Sequence, residues 1–414
     1  MTFKIFTLGC KVNQYEGQLL YEKLSGAGLL EPDNHNADIY IVNTCTVTHK
    51  ADQESAGLIR SLHRQDPKAK IFVTGCGIEN SQLRLEDIEG VSGIIHNKEK
   101  EKVLDYMPAH PEVKKKLHPS SISKFQKHTR AFLKIQDGCN NYCSYCIVPK
   151  VRGRSKSRLL KLIIEEAKTL VKNGYREIVL CGICLGAYGK DFKPPKGLIN
   201  VIEELEKISG LLRIRLSSIE ASDIDEKLID KLAKPGKLCR HLHIPFQSGD
   251  DKILKLMNRK FSSKDYLNLV SALRKKCEDI AITTDIIVGF PQEEDKHFQG
   301  TINFLKKIKP SRMHVFSFSP RKGTPAFNFT ARPLGKAAKD RTKSLKALAK
   351  ELSADFYQRF IGKTLSVLVE SENQSAKGYS DNYIKVYLPV KKYTANTIIK
   401  ARIARLYRDG LWAQ

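Results

Sequence analysis

The sequence predicts an α/β protein in three parts. An N-terminal parallel α/β sheet domain is followed by a central partial (β/α)6 barrel and a small C-terminal β-barrel. Three observations predict this. Continuous apolar strands alternate with helical patterns from Phe3 to Phe318, the rhythm of parallel sheets covered by helices. That rhythm is interrupted once, by a charged, turn-rich stretch around residues 106–128. Beyond Lys363 short stretches of period two replace it, the pattern of a small antiparallel barrel. A length of 414 residues also exceeds what one core organises. The expected domains are 1–105, a linker at 106–128, 129–358 and 359–414.

Composition narrows the class of function. Lys and Arg number 71 against 45 Asp and Glu, a formal charge of +26. Such an excess favours a polyanionic partner, nucleic acid above all, although charge alone is equally consistent with simple solubility. No apolar run approaches the roughly 18 residues of a membrane span, and the chain opens directly on a strand, so a cytoplasmic protein with no membrane partner is expected. The ten cysteines follow no secreted framework. In a reducing compartment, spaced cysteines point to metal or catalysis rather than disulfides.

In chain order, Phe3–Leu8, Ile39–Val42 and Ile71–Val73 are strands, with helices over Asn13–Leu24 and His49–Arg64. Each strand runs into a cysteine: Gly9-Cys10, Thr44-Cys45 and Gly75-Cys76. The intervals match the ~30 residues of one βα unit. All three thiols therefore fall at the carboxyl edge of a parallel sheet, where open α/β folds build their sites. Cysteine is also a common small core residue, but three at one topological position favour a metal site.

Linker features are Lys114-Lys115-Lys116 and Pro119-Ser120-Ser121, with no periodicity. The central strands are Ala131–Ile135, Glu177–Cys181, Arg213–Leu216, His241–Ile244, Ile282–Val288 and His314–Phe318. Leu159–Lys172 and Lys264–Lys275 are among the helices between them. Six units fall short of the eight of a full barrel. Between the first strand and its helix lies Cys139-Asn140-Asn141-Tyr142-Cys143-Ser144-Tyr145-Cys146, three thiols at CxxxCxxC spacing. Iron–sulfur clusters are held by cysteine thiolates, usually four. Three thiolates with no obvious fourth leave one iron open, which separates a reactive site from a structural one. A structural zinc site is the alternative, but it needs a second CxxC pair or histidines. Here His128, the nearest histidine, lies upstream of the strand.

Gly335–Phe360 is a long basic helix. Leu365–Val369, Tyr383–Leu388 and Thr397–Leu406 are expected to form the terminal barrel, which carries 9 Lys and Arg against 4 Asp and Glu from residue 361 on.

The cysteine loop resembles that of the radical S-adenosylmethionine (radical SAM) superfamily, and the fuller set of motifs resembles the methylthiotransferases. Gly9-Cys10-Lys11-Val12-Asn13-Gln14-Tyr15-Glu16 and Asn43-Thr44-Cys45-Thr46-Val47-Thr48 are similar to their N-terminal domain. His243-Ile244-Pro245-Phe246-Gln247-Ser248-Gly249, Asp285–Pro291 and Phe318–Pro325 are similar to their radical SAM barrel, and the last strands to TRAM, a small RNA-binding barrel. The resemblance covers essentially the whole chain. Cys10 to Glu16 is most similar to the branch acting on tRNA that carries threonylcarbamoyladenosine. Other branches act on isopentenyladenosine or a ribosomal protein. Two stretches depart from the family: Gly77-Ile78-Glu79-Asn80 lacks an expected aromatic residue, and Cys181-Gly182-Ile183-Cys184-Leu185-Gly186 replaces Gly-Val-Asn-Leu-Gly. Cys181 and Cys184 are read as small side chains in a packed turn, with a redox pair as the alternative.

The resemblance implies two 4Fe-4S clusters, one on Cys139, Cys143 and Cys146 and one on Cys10, Cys45 and Cys76. S-adenosylmethionine chelates the open iron of the first, and its cleavage gives a radical that takes hydrogen from carbon 2 of adenine. A second S-adenosylmethionine supplies the methyl group. Tyr145, Gln247 and Ser248 are candidate cofactor contacts. The implied partners are a tRNA anticodon stem-loop, an electron donor and a sulfur source, with the protein acting as a monomer. The eleven histidines are read as surface or packing residues, because an aromatic C–H bond offers no acid–base route. Arg152, Arg154, Lys156 and Arg158 are candidates for bracing RNA phosphates, with a solvated turn as the alternative, and Tyr379, Tyr383 and Tyr387 for stacking bases, with core packing expected for at least one of the three. A non-catalytic iron–sulfur RNA-binding protein is the remaining alternative.

Overall fold

The structure, a computed structural model, describes the chain except residues 33–35, 81–82, 108–120, 127, 334, 371–375 and 390–392. Most of the expected linker, including Lys114-Lys115-Lys116, lies outside the described residues. The chain forms two compact units. The first comprises Met1–Gln126, Asp137–Lys156 and Ser319–Phe327; the second comprises Lys127–Gln136, Ser157–Phe318 and Asn328–Gln414.

In the first unit, β1 (Phe3–Thr7), β2 (Ile39–Thr44), β3 (Lys70–Gly75) and β4 (Val91–Ile95) form a parallel sheet in that order. Strand alternation sends Ile39 and Ile41 to one face, with Phe3, Leu20 and Leu24. Tyr40 and Val42 go to the other, with Ile59, Leu62 and Val73. Both faces are thus dry, which accounts for an entirely buried β2. The helices Lys11–Gly26 and His49–Gln65 flank it; the second is capped by the Thr48 hydroxyl, which accepts from the Ala51 amide at 3.2 Å. The return segment Ser319–Phe327 is tied down by Arg321, whose guanidinium meets the buried Asp52 carboxylate at 2.6 Å.

In the second unit, β5 (Arg130–Lys134), β6 (Glu177–Cys181) and β7 (Arg213–Leu216) form one parallel sheet. A second parallel sheet is formed by β8 (His241–His243), β9 (Ala281–Val288) and β10 (Arg312–Ser317). Parallel bridges at Ile214–Leu238 and Ser218–His243 join them in chain order, as the six-unit reading expects. The terminal barrel is closed by β11 (Thr364–Val369), β12 (Lys377–Ser380), β13 (Lys385–Tyr387), β14 (Ile398–Tyr407) and β15 (Gly410–Ala413). Val367, Val369, Val386, Ile403 and Leu411 fill it, together with Phe356 from the Gly335–Gln358 helix and Phe360 from the turn after it.

Three arginines dock this barrel onto the first sheet around Glu177, which is fully buried. Arg215 Nε donates to Glu177 Oε1 at 2.6 Å, and Arg213 lies 3.5 Å from Oε2. The same guanidinia donate to carbonyls of the barrel, Arg213 to Ser366 at 2.6 Å and Tyr379 at 3.0 Å, Arg215 to Asp381 at 2.9 Å. Arg130 pairs with Glu370 at 2.8 Å. Tyr383 lies against Arg130 and Arg215 and stacks near His241 at 4.6 Å between centroids. One residue thus touches strands of both sheets, so the two share an inner face. Among the described residues no helix is long and apolar enough to cross a membrane.

Candidate active site

Cys10, Cys45 and Cys76 follow β1, β2 and β3 at the carboxyl edge of one sheet. Gly9 permits the approach: its φ is +91°, and a Cβ there would lie 2.8 Å from Cys45 Sγ. Asn13, one turn after Cys10, anchors the edge by donating to the carbonyls of Leu8 and Thr44, both at 2.9 Å. Burial pushes the Cys45 thiol up to about 11. It also pushes Cys76 up, against the opposing charges of Arg152 and Lys100. As bare thiols these two stay protonated, so loading a metal here releases protons.

The CxxxCxxC loop belongs to the same compact unit. Gly138, at φ +68°, begins it; a Cβ there would meet the Arg154 carbonyl at 2.1 Å. Cys139, Cys143 and Cys146 are all half-buried, and the Asn141 amide donates to Cys139 Sγ at 3.4 Å. Tyr142 takes a positive φ of 48° and is 55% exposed, whereas Tyr145 is half-buried. The loop leads into the short helix Val148–Arg152, and Ile147 and Val151 pack on Cys76.

Arg152 joins the two cysteine sets. Its Nε donates to Cys76 Sγ at 3.2 Å. Its other nitrogens reach Glu16 at 2.7 Å, Asp137 at 3.2 Å and Asn13. Lys100 covers the second oxygen of Glu16 at 2.6 Å. The donor set suits an iron–sulfur cluster: three sulfurs at one edge, an open side at the exposed Cys10, and a guanidinium to hold thiolate charge.

Arg152 is therefore not a phosphate contact, since its side chain is only 3% exposed. Arg158 is likewise engaged, donating to Glu166 and to the Lys134 carbonyl, both at 2.6 Å. Of the expected basic run, only Arg154 and Lys156 are exposed. The three tyrosines are engaged within the protein, in line with the core packing expected for at least one of them. Tyr379 and Tyr383 stack on each other at 4.9 Å beneath Arg130, and Tyr387 is buried with its hydroxyl on Asp409. Exposed cations and aromatic rings occur together instead at Tyr407 and Trp412, 5.1 Å apart, with Arg405 over both and Arg408 over Tyr407.

Gln247 has a φ of +69°, and its backbone bonds to Asp285 and Ile287 on β9, at 2.9 Å each. The Ser248 hydroxyl is buried and lies 3.2 Å from Thr301 Oγ1. Cys181 and Cys184 are both buried. The Cys184 amide donates to Gln136 at 2.9 Å, which matches the packed-turn reading.

One constellation had no counterpart in the reading of the histidines as surface or packing residues. On the inner face of the second sheet, His241 Nε2 lies 3.0 Å from Thr283 Oγ1, and His243 Nδ1 lies 2.9 Å from the same oxygen. His243 Nε2 is 3.2 Å from one oxygen of Asp285, and His314 Nδ1 is 3.1 Å from the other. Burial pushes the Asp285 carboxyl up, but the two imidazoles outweigh it and hold the carboxyl well below its ordinary range. The period-two pair His241-x-His243 was the available sequence signal.

Residues 133–305 match the radical SAM superfamily, and residues 2–96 match the uncharacterized protein family UPF0004. The chain is 37% identical to the threonylcarbamoyladenosine tRNA methylthiotransferase MtaB of Bacillus subtilis, over 99% of this chain and 96% of that protein. It is 34% identical to the tRNA-2-methylthio-N(6)-dimethylallyladenosine synthase of Thermodesulfovibrio yellowstonii, over 98% and 97%. Among solved structures, the radical S-adenosylmethionine methyltransferase TsrM of Kitasatospora setae superposes with a TM-score of 0.54 at 14% identity, covering 78% of this chain and 73% of that one. That likeness is one of fold.

Proposed function

Because the chain belongs to the radical SAM methylthiotransferase family, we propose that it methylthiolates carbon 2 of N(6)-threonylcarbamoyladenosine beside the anticodon of tRNA. The product is 2-methylthio-N(6)-threonylcarbamoyladenosine. The observation that carries the reading is the pair of three-cysteine sets in one compact unit, joined through Arg152. Cys139, Cys143 and Cys146 hold one 4Fe-4S cluster and its S-adenosylmethionine; Cys10, Cys45 and Cys76 hold a second. When bound, these groups supply one-electron cleavage of S-adenosylmethionine and a source of sulfur, which an aromatic C–H bond requires.

The chain's own residues do the rest. Arg152 balances thiolate charge at Cys76 and braces the helix after the cysteine loop against Glu16 and Asn13. Hydrogen bonds to cluster sulfurs help set a cluster's potential. Arg152→Gln is therefore expected to lower the midpoint potential of one cluster, measured by an EPR-monitored redox titration. An unchanged potential would remove this role. For RNA, Lys336, Lys339, Lys343, Lys346 and Lys350 form an exposed stripe along one helix, suited to a phosphate backbone. Tyr407 and Trp412, with Arg405 and Arg408, suit unpaired bases.

The relatives named for dimethylallyladenosine, at 34% identity, favour a second reading with that substrate. Nucleosides digested from tRNA of cells with and without the gene separate the two. The proposal expects 2-methylthio-N(6)-threonylcarbamoyladenosine only with the gene; an unchanged level of it would overturn the substrate.

A further inference from the structure

The inner face of the second sheet carries a set of chemistry-bearing side chains distinct from the two cysteine sets. Along β10, Arg312, His314 and Phe316 fall on one face at period two, and all are exposed. Phe316 is 44% exposed, unusual for a large apolar side chain, and its ring lies 6.5 Å from that of His314. Asp285 stands directly across from His314 in the strand register. Each of its oxygens faces a different imidazole, at 3.1 Å and 3.2 Å. These are ordinary N–H···O distances, so the three groups satisfy one another without a cation.

The hydrogen bond to Asp285 fixes the ring of His314 and its Nδ1 side. Its other nitrogen, Nε2, has no partner among the described residues, and the side chain is 46% exposed. An oriented imidazole with one free nitrogen, beside an exposed aromatic ring, is what a substituted purine would need. The ring stacks the base, and the nitrogen meets a polar substituent.

We propose that His314, oriented by Asp285 and flanked by Phe316, is the subsite for the N6 substituent of the target adenine, and that it selects an anionic, hydrogen-bonding substituent over a hydrocarbon. This rests on the threonylcarbamoyl reading above and specifies where that group is read. The ring acts as imidazolium: Asp285 accepts from Nδ1–H, and the carboxylate of the substituent accepts from Nε2–H. A hydrocarbon substituent leaves Nε2 desolvated and unpartnered, and sites built to hydrogen-bond a substrate discriminate strongly on that ground.

The test compares wild type, His314→Phe and His314→Gln, reconstituted anaerobically. The substrates are anticodon stem-loops bearing either threonylcarbamoyladenosine or isopentenyladenosine. His314→Phe is expected to raise KM for the first RNA by about 10- to 100-fold, the range for a charge-assisted hydrogen bond, and kcat by much less. His314→Gln recovers part of the loss, and preference shifts toward the hydrocarbon-bearing RNA. Iron content and thermal melting monitor folding. An unchanged KM in a folded His314→Phe overturns the inference alone. So does loss of a stoichiometric divalent metal other than iron from that variant, which would make the triad a metal site. Wild-type protein that ignores the threonylcarbamoyl RNA removes the substrate reading, and this inference with it.

Discussion

Alanine at Cys143 is expected to abolish both reductive cleavage of S-adenosylmethionine and methylthiolation, and alanine at Cys76 to abolish methylthiolation while sparing cleavage. The split follows from the two sets being separate ligand groups. Cys143 lies in the loop proposed to supply all three ligands of the cofactor-binding cluster, so on this reading its loss removes the site that would hold S-adenosylmethionine. Cys76 opens a helix at the edge of a different sheet, and its partners there are Cys10 and Cys45. Anaerobic assays of 5′-deoxyadenosine and of methylthiolated nucleoside, run on the same preparations, check it. Full methylthiolation by Cys76→Ala would contradict the second cluster. Because Ile147 and Val151 pack on Cys76, iron content of the variant distinguishes loss of one cluster from loss of both.

The second large effect is on stability. Glu177→Ala is expected to destabilise the second unit by about 3–5 kcal/mol, the cost of breaking a buried ion pair and stranding its partner. Three arginines face this fully buried carboxylate: Arg215, Arg213 and Arg130. Removing it leaves the Arg213 and Arg215 guanidinia, 6% and 2% exposed, without a carboxylate at the junction with the terminal barrel. Denaturant unfolding of the variant measures this. The sign with pH is fixed as well. Burial pushes the Glu177 carboxyl up, but the arginines outweigh it and its pKa is lowered. Its contribution is therefore complete above the unfolded carboxylate pKa of about 4.3. It is lost as pH falls through the lower folded value.

Most strands were readable because parallel strands buried on both faces are continuous apolar runs; Glu177–Cys181 and Arg213–Leu216 fall where periodicity puts them. β4 was missed because Ser92 and Gly93 interrupt it, and β12 and β15 because Lys377–Ser380 and Gly410–Ala413 are four-residue strands containing glycine. The cysteines were readable because their spacing is local or locked to strand ends. Arg152 was not. In sequence it belongs to a basic run, and only folding brings Cys76, from 76 positions away, to its Nε. The Asp285 triad was hidden for the same reason: its members sit on three strands, and only the register between β8, β9 and β10 aligns them.

The most direct measurement uses an anticodon stem-loop whose threonylcarbamoyladenosine carries deuterium at carbon 2. It is incubated anaerobically with the reconstituted protein, S-adenosylmethionine, sulfide and a reductant, and followed by mass spectrometry. The account predicts a nucleoside heavier by one methylthio group in place of the deuterium, with that deuterium recovered in 5′-deoxyadenosine. Formation of 5′-deoxyadenosine without deuterium, over an unchanged nucleoside, would contradict it.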